Sequence, residues 1–238
     1  MKPGSISNYI ILLQKMIFYN LKIIFASRFF WFLAGSTLFY MGLSVIYVFS
    51  EEISRMEELY GVFIFSGLLL VFYPSVFGIQ NDQDSRTIEI LFGIPDYRYK
   101  VWLVRIILIF LITFLILLLF TFVSSVMIVE FPVFPMTAQV MMPVLFLGMM
   151  AFMLSTVIRN GNGTAVVMII IGMFFLMLQE PLQKSQWNVF LNPFEPARDV
   201  SQATWAIITV KNRIFLAVGT VISLLFALYN LQNREKFM

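Results

Sequence analysis

The stretch "IILIFLITFLILLLFTFVSSVMIV", residues 106–129, contains no charged residue. A helix needs about 20 mostly apolar residues to cross the hydrocarbon core of a bilayer, and this run is long enough. A helix is the expected structure because backbone N–H and C=O groups find no partner in lipid and must bond to one another. The stretch therefore predicts a membrane-spanning helix.

Uncharged runs of similar length recur on both sides of this stretch, at 29–50, 59–81, 131–158, 160–179 and 214–233. Together they predict an all-α membrane protein with six transmembrane helices in one domain over residues 1–238. Pro132 and Pro135 are assigned to the loop before the fourth span, and Arg105 is expected to extend its charge to the membrane interface. The predicted spans are 29–50, 59–81, 99–129, 137–158, 163–182 and 211–231, with an outer segment at 183–210.

The composition agrees with a membrane location. Of the 238 residues, 60% are hydrophobic and 12% are charged, whereas a soluble domain carries about 25% charged residues. The chain has no Cys and no His, which excludes thiol nucleophiles, His-based acid–base catalysis and Cys or His metal sites. No GxxxxGK[ST] loop occurs, so we expect no bound ATP in this chain itself. The spans offer no paired-carboxylate or Ser/His site, and we expect no catalytic residue, no metal and no cofactor.

The distribution of Lys and Arg predicts the orientation. If both termini lie in the cytoplasm, 11 of the 16 basic residues fall on the cytoplasmic side. Cytoplasmic loops carry an excess of basic residues, so this orientation is favoured. It places residues 51–58 and the outer segment outside, and the polar stretch 80–100 in the cytoplasm.

The residues before the first span have a separate character. Lys15 and Lys22 are seven residues apart, in one stripe of a helix, and are surrounded by Ile and Leu. We predict an amphipathic interfacial helix at 5–27, anchored by Lys15, Lys22 and Arg28 against anionic membrane lipids. The alternative is a further spanning helix, which the two lysines inside the segment would make costly.

The polar stretch 80–100 contains a short apolar phrase. Asp84 or Ser85 suits a helix N-cap, and Pro95 ends the helix, since the residue before proline avoids the helical conformation. Ile88, Leu91 and Phe92 would then share one face. The predicted short helix at 84–94 either lies against the membrane or docks with a cytoplasmic partner.

The run "DSRTIEILFGIPDYRYKVWLVR", residues 84–105, resembles the cytoplasmic loop of the permeases of type-2 ABC export transporters. In that family the loop reads as an acidic segment, Gly-Thr, an apolar residue, Glu, two apolar residues, a Pro and an Arg. Arg86 replaces the glycine of the family pattern, and Asn192-Pro193 is similar to the family's outer segment. The residues that match are Thr87, Ile88, Glu89, Ile90, Leu91, Pro95 and Arg98.

The resemblance extends to the layout of the whole chain, and it implies a function. The interfacial helix would be the family's elbow helix, and 84–94 its coupling helix, seated in a cleft of a separate ATPase that binds ATP and Mg²⁺. Two ATPase subunits and two permeases, the same or related, would form an exporter in the bacterial inner membrane, with no role for nucleic acid. The residues that would contact the ATPase are Asp84, Ser85, Arg86, Thr87, Ile88, Glu89, Ile90, Leu91 and Phe92.

Two other functions compete with an export permease. One is a scaffold or sensor subunit of a membrane complex that transports nothing. The other is an ion-coupled carrier, which is disfavoured because no charged residue falls near the middle of a predicted span. For an exporter, the uncharged and aromatic spans favour a lipid-like, amphipathic or peptide cargo.

Overall fold

A computed structural model describes residues 29–49, 56–84, 98–197 and 199–232. These ranges form six α-helices and no β-strand, and a π-helical segment, Arg98–Leu103, leads directly into the third helix. The predicted interfacial helix at 5–27 and all but the first residue of the predicted coupling helix lie outside the described residues. The helices are α1 (Phe29–Phe49), α2 (Met56–Asp84), α3 (Val104–Met127), α4 (Val133–Ile158), α5 (Gly161–Met177) and α6 (Gln202–Asn230).

Five helices are long and apolar enough to cross a membrane: α1, α2, the continuous helix Val101–Met127, α4 and α6. The remaining helix, α5, has 17 residues and spans about 25 Å at 1.5 Å per residue. It ends five residues before the end of the predicted span at 163–182, because Pro181 disfavours helix at the residue before it and cannot donate a backbone hydrogen bond. An all-helical architecture with several apolar helices is therefore confirmed, while six membrane crossings stay a prediction.

The helix ends also differ from the predicted spans at α4 and α6. Pro135 lies in the first turn of α4 rather than in the preceding loop, since the first turn has no internal partner for its N–H groups and tolerates proline. The last helix begins at Gln202, nine residues before the predicted span at 211–231. Ser201 caps it by accepting a hydrogen bond from the backbone N–H of Thr204.

Helices α2 and α4 form the centre of the bundle. They pack against each other along most of their length, with α1 and α3 beside α2 and with α6 beside α4. Glycines allow this close approach: a Cβ placed on Gly67 would lie 2.8 Å from a methyl carbon of Val144, and one placed on Gly148 would overlap a methyl carbon of Val71 and lie 2.9 Å from the Phe110 ring. The core is therefore a close-packed junction of α2, α3 and α4.

Most hydroxyl groups inside the bundle bond to main chain or to each other, whereas those of Ser44, Ser75 and Thr209 have no partner among the described residues. Ser36 of α1 donates to the carbonyl of Ser66 in α2 at 2.8 Å, and the hydroxyls of Thr121 and Thr137 lie 2.7 Å apart between α3 and α4. Interhelical hydrogen bonds of this kind recur in membrane proteins, where an unsatisfied polar group in hydrocarbon is costly. They add polar links between helices that are otherwise apolar.

The outside of the bundle is strongly apolar. Trp31 is 74% exposed and Phe49 is 81% exposed on α1, and large apolar side chains also cover the outer faces of α3, α5 and α6. Soluble monomers rarely expose contiguous apolar patches of more than a few hundred Å². Buried hydroxyls and an exposed apolar surface are together typical of a protein that is surrounded by lipid.

The two ends of the bundle are distinct. Residues 178–201, of which all but residue 198 are described, lie over one end and are called the cap. The cap contacts the start of α2, because the side chain of Asn192 donates to the carbonyl of Glu57 at 2.9 Å. The last residue of α2, Asp84, lies at the opposite end.

Candidate functional site

The end of the bundle opposite the cap contains a buried ion pair. Its two residues belong to the helices on either side of residues 85–97. Arg105, at the start of α3, donates to a carboxylate oxygen of Asp82, near the end of α2, at 2.7 Å. The two side chains are only 5% and 6% exposed. A carboxylate 23 positions earlier in the chain therefore holds the charge of Arg105 inside the protein. Its position at the membrane interface stays a prediction.

Trp102 completes this cluster. The guanidinium carbon of Arg105 lies 4.7 Å from the centre of the Trp102 ring, within the range of a cation–π contact. Trp102 is 1% exposed and packs on Phe152 of α4, with 6.0 Å between ring centres. The ion pair thus joins α2 to α3, and through Trp102 it also packs against α4.

The turn between α4 and α5 is bound to the same end of α2. The backbone N–H of Gly161 donates to the side-chain oxygen of Gln80 at 2.5 Å, and Asn160 caps α5 by accepting from Gly163. Arg159 ends α4 in the left-handed conformation, with φ of 58°. Any displacement of the end of α2 would therefore also be felt at the start of α5.

The predicted ATPase-contacting residues fall almost entirely outside the described chain. Asp84 is the last residue of α2 and is exposed, and it accepts a weak hydrogen bond from Gln80 at 3.4 Å. The structure thus places it in α2, as the residue from which the 85–97 stretch departs. The predicted contacts Ser85, Arg86, Thr87, Ile88, Glu89, Ile90, Leu91 and Phe92, and the predicted anchors Lys15, Lys22 and Arg28, lie outside the described residues.

The capped end is organised around Arg213. Arg213 lies eleven residues after the start of α6 and donates to the side-chain oxygen of Gln139 at 2.7 Å. It also donates to the hydroxyl of Tyr60 at 3.1 Å and to the carbonyl of Leu191 at 3.2 Å. One side chain therefore joins α2, α4, α6 and the cap, and none of these three partners is a carboxylate.

The neighbouring Asn212 fixes the cap further. Its amide donates to the carbonyl of Asn188 at 2.7 Å and to that of Gln186 at 2.9 Å. Trp205, one turn into α6, donates its indole N–H to the carbonyl of Pro193 at 3.1 Å. The cap is irregular in backbone but tied to α6 at several points.

A cavity of about 780 Å³ lies between the cap and the ends of α5 and α6. Its walls combine carboxylates and amides with an apolar floor that includes Leu176, Phe190 and Trp205. A smaller cavity of about 160 Å³ adjoins it and is lined in part by Glu57 and Glu58 of α2. The polar residues of the larger cavity are Gln179, Glu180, Gln183, Asn188, Asn192 and Glu195.

Charge at the surface of the cap is partly paired. Lys184 donates to a carboxylate oxygen of Asp199 at 2.8 Å, and this hydrogen bond, with the lysine's positive charge, holds the pKa of the Asp199 carboxyl below its usual range. Both side chains are well exposed, so the pair adds little stability. Among the described residues, no three Asp, Glu, His or Cys side chains lie close enough to hold a metal ion.

These features define a multi-pass α-helical membrane protein with a polar cap at one end and a buried ion pair at the other. Comparison of the chain with protein-family models, with curated proteins and with solved structures found no match.

Proposed function

We propose that this chain is the permease subunit of an ATP-driven exporter that works with a separate ATPase subunit. The observation that carries the proposal is the sequence of residues 84–98, which resembles the coupling loop of type-2 ABC export permeases. The cargo would be lipid-like, amphipathic or a peptide, moved out of the cytoplasm or the inner leaflet. Six membrane crossings with both termini in the cytoplasm are part of the same proposal.

The surroundings of residues 85–97 support a coupling role. The stretch follows Asp84 at the end of α2 and precedes the π-helical segment before α3. The Asp82–Arg105 ion pair joins α2 to α3, with 2.7 Å between the charged atoms, and the side chain of Gln80 bonds α2 to the start of α5. If a partner displaced this stretch, these contacts would therefore transmit the movement to α2, α3 and α5.

The chemistry of the stretch fits a protein pocket. Ile88, Leu91 and Phe92 would form an apolar knob, and Glu89 a polar anchor beside it. Exposed apolar side chains on a polar loop are favourable when a partner covers them. Energy for transport would come from ATP hydrolysis in the partner.

A second permease would complete the path. Much of α1 and α5 faces away from the bundle, with few buried residues on either helix. We propose that these two helices meet their counterparts across a two-fold axis. The cargo path would then lie between subunits rather than within one chain.

The proposal is tested by Leu91→Asp, with Ile94→Asp as the matched control just beyond the predicted contacts. A charge placed at Leu91 would enter the partner's pocket unpaired, and burial of such a charge costs several kcal/mol. Each 1.4 kcal/mol is tenfold in affinity, so we expect at least a tenfold loss of the co-purified ATPase and loss of export in cells. Ile94→Asp should retain both.

The assay is recovery of the ATPase with the purified chain, together with membrane insertion of each variant. A Leu91→Asp chain that inserts, keeps its ATPase and exports at the normal rate would contradict the proposed coupling. A chain that never co-purifies with any ATPase, even unmutated, would favour a scaffold or sensor subunit instead.

A further inference from the structure

A second feature of the capped end lies on the outer face of α6. A groove of about 560 Å³ runs along this helix, open to the side of the bundle. Its lining is apolar along most of its length and polar at one end. The lining residues are Gln186, Trp187, Lys211, Ile214, Phe215, Val218, Gly219 and Ile222.

The apolar part of the groove follows the helix repeat. Phe215, Val218 and Ile222 follow Lys211 at four, seven and eleven positions, which puts all four on one stripe of α6. Trp187 of the cap stands edge-on to Phe215, with 5.0 Å between ring centres. The groove is thus a continuous apolar strip with an aromatic wall at its capped end.

The floor of the groove is open at Gly219. A Cβ there would lie within 2.9 Å of two ring atoms of Phe146, so the ring of α4 occupies the space where a side chain would begin. Phe146 also packs on Phe215, with 5.8 Å between ring centres. The depression therefore arises from close packing of α6 on α4.

The polar end of the groove carries one cation. Lys211 is exposed and, within the described residues, forms no ion pair. Its neighbours in sequence are used elsewhere, since Asn212 is buried against the cap and Arg213 points toward Tyr60 and Gln139. Among the described residues that line the groove, the lysine is the only charged one, so an anionic group at this end would be complementary to it.

The length of the groove matches one leaflet of a membrane. From Lys211 to Ile222 the helix rises about 16 Å, and half of a hydrocarbon core of about 30 Å is about 15 Å. An aromatic ring and a lysine at the end of an apolar strip are also typical of the level of the lipid head groups. A water-soluble anion has no apolar part that could contact the apolar strip.

We propose that this groove binds one phospholipid with an anionic head group, the phosphate on Lys211 and an acyl chain along Ile214, Val218 and Ile222. The site is separate from the cavity under the cap and from residues 85–97. It does not rest on the proposed export function, because a bound lipid needs neither an ATPase nor a cargo path.

The test is native mass spectrometry of the purified full chain with phosphatidylglycerol or phosphatidylcholine of identical acyl chains. A lysine near a lipid surface contributes about 1 kcal/mol, which corresponds to about a fivefold change in affinity. We expect Lys211→Gln to retain about fivefold less phosphatidylglycerol and Lys211→Arg to retain the normal amount. Lys184→Gln removes the same charge from the capped end outside the groove and should change nothing.

Two further measurements separate a lipid from a free anion. Val218→Trp would fill the exposed apolar strip and should lower retention although Lys211 is intact. Glycerol 3-phosphate, which has the phosphate but no acyl chain, should not displace the lipid. Equal loss in Lys211→Gln and Lys184→Gln, or displacement by glycerol 3-phosphate, would overturn the proposal, and the Lys211 comparison decides alone if Val218→Trp fails to fold.

Discussion

Substitution of Asp82 by Asn should strongly destabilise the bundle. The change keeps the size of the side chain and leaves Arg105, which is 4% exposed, without its carboxylate. Removing one partner of a buried ion pair costs about 3–5 kcal/mol because the remaining charge stays buried and uncompensated. That range corresponds to a loss of more than about 100-fold in the folding equilibrium.

The double variant Asp82→Asn/Arg105→Gln separates the penalty of an unpaired charge from the value of the pair. With both charges gone, no buried charge is left uncompensated, so the double variant should be more stable than Asp82→Asn alone. Unfolding in mixed micelles of mild detergent and SDS, followed for all four members of the cycle, measures this coupling.

The chain supplies a matched control at its other end. Lys184 and Asp199 lie at 2.8 Å, nearly the same distance as the buried pair, but their side chains are 53% and 80% exposed. Water already solvates both charges there, so Asp199→Asn should produce no measurable change in unfolding. Equal unfolding midpoints for Asp82→Asn and Asp199→Asn would refute the argument that burial makes loss of the Asp82–Arg105 pair costly to the free energy of unfolding.

Two further predictions concern packing and orientation. Gly148→Ala should cost about 1–3 kcal/mol of unfolding free energy, because the new methyl group would press on Val71 and on the Phe110 ring. Gly172→Ala, with no atom within 4 Å of the added carbon, should cause no loss of stability in the same titration, since alanine is favoured over glycine inside a helix. The chain has no Cys, so single cysteines report orientation cleanly: in intact cells an impermeant thiol reagent should label Ser54→Cys and spare Ser85→Cys, and the reverse pattern would invert the proposed topology.

The membrane class and the existence of the helices could be predicted because both depend on local properties. A run of about 20 apolar residues satisfies its own backbone as a helix wherever its neighbours lie. The runs at 29–50 and 106–129 became α1 and most of α3 with little change. Helix ends were less predictable: α5 is shorter and α6 longer than predicted, since Pro181 and the Ser201 cap act over single turns.

Pairing between distant residues could not be predicted in the same way. Arg105 beside a span is compatible both with an interfacial charge and with a buried one. Only the packing of α2 against α3 brings it to Asp82. Similarly, Arg213 gains Tyr60, 153 positions away, only because α2, α4 and α6 meet under the cap. Hydropathy along the chain therefore determined which segments are helices. The tertiary structure decided which charges are buried and where the cavities lie, because those depend on contacts between helices that no single segment encodes.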